Sequence, residues 1–360
     1  MEGKIWEVGS TWYISPNMDC SLTAGTLDIP AVNGNSLNYV STCRSAIGLV
    51  LDKIGKQGIA CVPAFTCHTV VQPFIDRGFE VCVYPVNEDL LIDWIGFKNL
   101  VATTTPSVVL FHSYFGFNTI DGGSNIIEKL WAKGIIVIED LTQTMFSTYK
   151  HINAHYYLGS IRKWMPMPDG AFIKGDLTVC DLQEDTELAK VKQIAMEAKG
   201  DYIINGVGEK AEFMSKFKEA ECLLDSRNKP YRMSNVAAQI YKNCNLGEFA
   251  HARRENYNLL AIRFAKHSHL RVIKPRLPND VVPFMMPIFI KEGRKEFQQY
   301  MAAHNIYPTV IWTCPNELRD MINISAVNIY DSILCFHCDQ RYNLNDMKRV
   351  ADIVDAYFYK

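Results

Sequence analysis

Lys163 lies in "GSIRKWMPMPDG" (159–170), between an arginine and Trp164 and ahead of two prolines. A lysine in such apolar, stiff surroundings has its charged form disfavoured, which frees a nucleophilic amine able to form a Schiff base. The alternative is a lysine that snorkels, with its head in water. Asp140 follows the apolar run of "IIVIED" (135–140), and Gln143 comes three residues later. A carboxylate ending a buried strand needs a cationic or hydrogen-bonding partner unless that terminus is solvated. "STCRSAI" (41–47) leads into a helix, where exposed N–H groups and the dipole attract an anion. An ordinary N-cap reads the same way. "PAFTCHT" (63–69) places Phe65, Cys67 and His68 after a strand, as one wall of a pocket.

Together these are the parts of a pyridoxal phosphate site. The phosphate needs a helix N-terminus and hydroxyls. The pyridine nitrogen needs a carboxylate, and the aldehyde needs a lysine. The order of the residues along the chain lets Asp140 and Lys163 point into one crevice.

The elements that must position them follow from periodicity. The runs 59–64, 81–86, 108–114 and 135–140 are nearly continuous in apolar residues, as strands covered on both faces are. Helical patterns separate them: 44–55, with a stripe of Ile47, Val50, Leu51 and Ile54; 69–78; and 124–134, opening on Ser124. This alternation predicts an α/β fold with a mainly parallel sheet, which binds ligands beyond the carboxyl ends of its strands. After about residue 180 the text turns helical and heavily charged, as surface or interface helices are. "VVPFMMPIFI" (281–290) and "IYPTVIW" (306–312) then read as strands of a smaller α/β unit, and Asn343 as the cap of a last helix. The division expected is a large cofactor-binding domain over 1–245 and a small domain over 246–360, with the N-terminal segment able to pack on the latter.

The 360 residues are 48% hydrophobic and 21% charged, an ordinary globular composition. A net charge of −2 offers no basic face for nucleic acid. No apolar run is long enough to span a bilayer. "MEGKIWEVGS" lacks a signal layout, so a cytoplasmic protein is expected. Its 11 cysteines are scattered and read as reduced thiols. Cys335 and Cys338 have metal-like C-x-x-C spacing without a second ligand pair, so no metal site is expected.

From "NYVSTCRSAIGL" to "CDQRYNLNDMKRV" the chain resembles, as a divergent member, the DegT/DnrJ/EryC1/StrS family of fold type I pyridoxal-phosphate aminotransferases. "VPAFTCHTVVQPFIDRG" resembles its strand end and following helix, "VIEDLTQT" its Asp-x-x-Gln segment and "GSIRKW" its serine-then-lysine segment. "YRMSNVAAQI" and "ARRENY" resemble its Tyr-Arg-Met and Arg-x-x-Asn-Tyr stretches. The resemblance implies that Lys163 carries the cofactor and shuttles protons, and that Asp140 binds the pyridinium nitrogen. Gln143 would approach the ring hydroxyl or face, and Ser160 with Cys43–Arg44–Ser45 would hold the phosphate. It also implies a homodimer with active sites at the interface, and transfer of an amino group from an amino acid, often glutamate, to a keto group. The acceptor it implies is a sugar or nucleotide sugar of polysaccharide or secondary-metabolite synthesis.

The chain departs from the pattern in three places. Cys43-Arg44 replaces the Gly-Thr phosphate turn, and Pro230 an asparagine that reaches the neighbouring subunit. Cys67 stands where an aromatic commonly stacks on the ring, a role open to Phe65, His68, His112 or Tyr114. Substrate candidates are Tyr114, Trp312, Arg341 and Tyr342. Arg162 is left open between cofactor phosphate, substrate anion and water. A lyase or decarboxylase would use the same lysine and aspartate, and a silent binding protein is a third reading. Lys163 counts against the family's dehydratase branch, which has histidine there.

Overall fold

A computed structural model describes residues 5–15, 37–227 and 229–359. In chain order the elements begin with β1 (Val8–Gly9), β2 (Leu37–Val40), α1 (Cys43–Ile54), β3 (Ile59–Pro63), α2 (His68–Ile75) and β4 (Glu80–Tyr84). There follow α3 (Trp94–Thr104), β5 (Val108–His112), α4 (Ser124–Ala132), β6 (Ile136–Asp140), β7 (Tyr156–Gly159) and β8 (Ala171–Gly175). Helices then dominate: α5 (Thr186–Asn205), α6 (Lys210–Ser226), α7 (Asn235–Lys242) and α8 (Leu246–Phe264). The last part holds β9 (Leu270–Val272), β10 (Met286–Ile290), α9 (Arg294–Ala303), β11 (Ile306–Tyr307), α10 (Ile324–Ser332), β12 (Ile333–Phe336) and α11 (Leu344–Phe358).

The main sheet has seven strands in the order β2-β8-β7-β6-β5-β3-β4. All neighbouring pairs are parallel except those made by β8, which runs against both β7 and β2. The apolar runs of the central strands follow from cover on both faces. On one face Cys61, Val109, Phe111 and Val137 pack toward α3 and α4. On the other Ala60, Val62, Leu110 and Ile138 meet Ile47, Val50 and Leu51 of α1. Thr42 caps α1, its hydroxyl accepting from the Ser45 amide at 3.0 Å, and Gly55 ends the helix in the left-handed region.

A three-stranded antiparallel sheet, β12-β10-β9, lies beside α8 and α10, and α11 packs on α8 and α9. Near it β1 pairs in parallel with β11, so residues 8–9 are tied to residues 306–307. Asn343 caps α11 in a reciprocal capping box with Asp346.

Three local expectations change. Gly123 is the cap residue of α4, and Ser124 is the first residue inside the helix. Of 281–290 only 286–290 pairs as a strand. The Val282 and Phe284 amides go instead to Ser147 Oγ and the Phe115 carbonyl, and Pro283 has no N–H. The strand expected over 306–312 stops at Tyr307, because Pro308 follows.

Candidate active site

The carboxyl ends of β7, β6, β5 and β3 are neighbours, so the residues closing them converge. Register sets His112 beside Asp140 and Asp140 beside Leu158. Past these ends, Asp140, Gln143, Lys163, His112, Cys67 and Trp312 line one cleft, together with Val70, Ser113 and Thr142.

Lys163 ends a 3-10 turn (Ile161–Lys163) whose main chain is held from several sides. Trp12 Nε1 donates to the Lys163 carbonyl at 3.3 Å. The Trp164 carbonyl accepts from Arg253 Nη2 at 3.3 Å and from Gln340 Nε2 at 2.8 Å. Trp164 is fully buried; its own Nε1 donates to the Thr142 carbonyl at 2.6 Å, and the Arg253 guanidinium stacks on it at 4.5 Å. The backbone is thus fixed while the half-buried Lys163 side chain faces the cleft, with no hydrogen bond or ion pair among the described residues.

Asp140 is buried. Its Oδ1 accepts from the Thr142 amide at 2.8 Å, and its Oδ2 has only the Cys43 thiol, at 4.0 Å. Burial pushes this carboxyl above the ordinary range; the Thr142 contacts and the Lys163 charge pull it part of the way back. Gln143 accepts from the Phe115 amide at 2.6 Å through Oε1, which leaves its buried Nε2 without a partner. A buried amide left so is costly unless a ligand completes it. His112 meets the Thr66 hydroxyl at 3.1 Å, and burial lowers its imidazole to about 3, so it is neutral. Burial and the Asp140 charge keep the Cys43 thiol protonated.

Thr142, a residue the sequence did not single out, ties these parts together. Its hydroxyl accepts from the Ser160 amide at 3.0 Å and reaches the Cys43 sulfur at 3.7 Å. Its only signal was its place between Asp140 and Gln143.

Other candidates lie apart. Arg44 reaches Asp225 at 3.1 Å and, with Ser45, lines a neighbouring cleft of about 510 Å³. His68 is exposed and meets Glu317 at 3.6 Å. Tyr114 stands behind the wall, donating to the Phe65 carbonyl at 2.6 Å, with its ring 6.2 Å from Trp312. Arg341 is locked onto Asp339, and the buried Tyr342 hydroxyl accepts from the Gly9 amide at 2.8 Å. Arg162 makes no side-chain hydrogen bond among the described residues.

The donor set fits pyridoxal phosphate: an amine without a partner among the described residues, a carboxylate whose Oδ2 has only a long thiol contact, an orphaned amide and the start of α1 beside them. The space is narrower than the set. About 20 Å³ is open, room for a water or two, so a pyridine ring enters only if the Trp312 and Val70 wall yields. A roomier cleft of about 420 Å³ beside Trp131 also carries an amine and carboxylates, but its Lys150, Asp121 and Glu128 are all exposed, whereas Asp140 is buried.

No family model matches the sequence, and no curated protein matches it. Solved structures do match the fold. A DegT DnrJ EryC1 StrS aminotransferase from Brucella abortus superposes with a TM-score of 0.65 at 15% identity, over 90% of this chain and 86% of that one. The fold is that of these aminotransferases. The Helicobacter pylori aminotransferase involved in the biosynthesis of pseudoaminic acid gives 0.64 at 12% identity, over 90% and 86%. A GDP-4-keto-6-deoxymannose-3-dehydratase with bound GDP-perosamine gives 0.62 at 17%, over 88% of each chain. The likeness therefore extends over most of the chain.

Proposed function

We propose that the protein is a pyridoxal-phosphate-dependent aminotransferase. It moves an amino group from an amino acid, glutamate being the first to try, to the keto group of a sugar or nucleotide sugar. The observation that carries this reading is the meeting of Lys163, Asp140 and Gln143 in one cleft, where the amine and Gln143 Nε2 have no partner among the described residues and Asp140 Oδ2 has only a long contact to the Cys43 thiol. Bound there, pyridoxal phosphate supplies an electron sink. Asp140 would hold the ring N–H, and its negative charge would keep that proton in place. Lys163 would hold the cofactor through its amine, and its Nζ would hold and move a proton. Gln143 Nε2 donates to the ring oxygen. The neutral His112 adds no second positive charge to the cleft. Ser160 and the first amides of α1 receive the phosphate. The sugar reading rests on what the superposed proteins are described as handling and on Trp312, whose half-buried ring suits a sugar face. A homodimer completing each cleft belongs to the same proposal, by resemblance.

The test is a visible spectrum. Protein loaded with pyridoxal phosphate shows the band of lysine-bound cofactor, and glutamate bleaches it to the pyridoxamine form. A spectrum that the cofactor leaves unchanged ends the enzymatic reading. A band that no amino donor bleaches ends the aminotransferase reading and leaves the lyase one standing.

A further inference from the structure

Cys61 on β3 and Cys82 on β4 sit directly opposite each other in parallel register. Their sulfurs are 2.7 Å apart, and both are free thiols. Adjacent strands run about 4.8 Å apart, within the Cα separation a disulfide spans, and its sulfurs bond at about 2.05 Å. Closing the gap takes a movement of well under an ångström. Among the described residues no other two cysteines share such a contact.

The two thiols are not equivalent. Cys61 is fully buried, in the same cluster as Val109, Phe111 and Tyr84. Cys82 is half-buried on β4, the outermost strand of the sheet, which has a neighbour on one side only. The hydrogen bond between them lowers the Cys82 thiol below its ordinary range and holds the proton on Cys61. Solvent reaches Cys82 and not Cys61, so the Cys82 sulfur is the one placed to attack an oxidant.

We propose that Cys61 and Cys82 form a reversible intramolecular disulfide, a redox modification site separate from the cleft. The oxidant is a small disulfide such as oxidised glutathione. The Cys82 thiolate displaces one glutathione thiolate and forms a mixed disulfide. Cys61 then attacks the Cys82 sulfur, gives up its proton and expels the second glutathione thiolate. Two protein thiols are oxidised, one glutathione disulfide is reduced, and the two protons end on the released thiols. The new bond joins the middles of β3 and β4, the two strands flanking α2, and that unit carries Cys67 and Val70 into the cleft wall. By removing freedom from the unfolded chain it raises the unfolding midpoint.

The full chain is incubated with oxidised glutathione, quenched by alkylation and digested. The expected result is a cross-linked pair of peptides containing Cys61 and Cys82, lighter by two hydrogens, reversed by dithiothreitol, with a higher melting temperature. Cys61→Ala should stop at a stable glutathione adduct on Cys82, and Cys82→Ala should leave Cys61 unmodified. Wild-type protein in which both residues alkylate fully, or in which Cys82 stays glutathionylated without cross-linking, overturns the proposal. The wild-type measurement decides this even if a variant fails to fold.

Discussion

Two buried polar clusters stand in contrast. Around Arg341 every group is answered. Its Nε and Nη2 donate to the two oxygens of Asp339, each at 2.8 Å, and Nη1 donates to the Thr11 carbonyl at 3.1 Å. The guanidinium also stacks on Trp12 at 4.1 Å. Burial alone would raise the Asp339 carboxyl, but the Arg341 charge and bonds, with His337, hold it well below its ordinary value. In the cleft the reverse holds: the net effect raises the Asp140 carboxyl, and Gln143 Nε2 and the Lys163 amine lack partners. A cluster that the chain completes is architecture. A cluster it leaves incomplete, at the ends of strands, is the kind a ligand completes, which is what the proposed function requires of this one.

The sharpest way to break this contrast is Lys163→Ala. Turnover of an amino donor should fall by about 10³-fold or more, and the band of lysine-bound cofactor should vanish on dialysis. The melting temperature of the cofactor-free protein should stay within the scatter of surface substitutions, because the amine has no partner to lose. A clear drop in that temperature would make Lys163 a structural cation. Asp339→Ala is the mirror experiment. It leaves Arg341 as an uncompensated charge whose side chain is 7% exposed, and should cost about 3–5 kcal/mol in urea unfolding. A loss under about 1 kcal/mol would remove the distinction between the clusters.

Asp140→Asn tests both halves of the argument in one chain. Losing the charge opposite the ring nitrogen should lower turnover by about 10²-fold. The same change relieves the burial of a poorly paired carboxylate, so the cofactor-free protein should unfold at equal or higher denaturant concentration. An Asp140→Asn protein that is both active and less stable would place Asp140 with Asp339, among the architectural groups.

The sequence made the cleft more legible than the architecture around it. Asp140 and Lys163 are visible because a charged residue in an apolar run conflicts with local preference, and such conflicts mark sites. The central strands are visible because cover on both faces leaves a continuous apolar run. β7 and β8 carry mixed text such as "YYLG" and "AFIKG", whose pairing depends on partners far along the chain. Arg44 read as a phosphate ligand from its place at a helix start, but its guanidinium went to Asp225, 181 residues away. Arg341 read as a substrate ligand because nothing local shows that Asp339 and Trp12 enclose it. Long flexible cations choose partners by tertiary geometry, which spacing does not encode.

His112 offers the finest discrimination, through pH. Its folded value is about 3 against an ordinary 6.5. Between those values the unfolded chain binds the proton that the folded chain refuses, so its contribution to stability falls as pH drops through 6.5 and is unaffected above it. The slope for one such group is at most about 1.4 kcal/mol per pH unit. Asp169, raised by burial to about 6, runs the other way: the folded chain keeps a proton that the unfolded one releases, and stability falls as pH rises toward 6. The two partly cancel in the total curve, so the quantity to measure is the difference between wild type and His112→Gln, which leaves Asp169 in place. In cofactor-free protein the wild type should lose ground to the variant steadily from pH 6.5 to 5. A difference that does not change with pH would mean that the imidazole takes up its proton in the folded cleft, and the cleft would then be wetter than the packing of Trp312 and Thr66 around it implies.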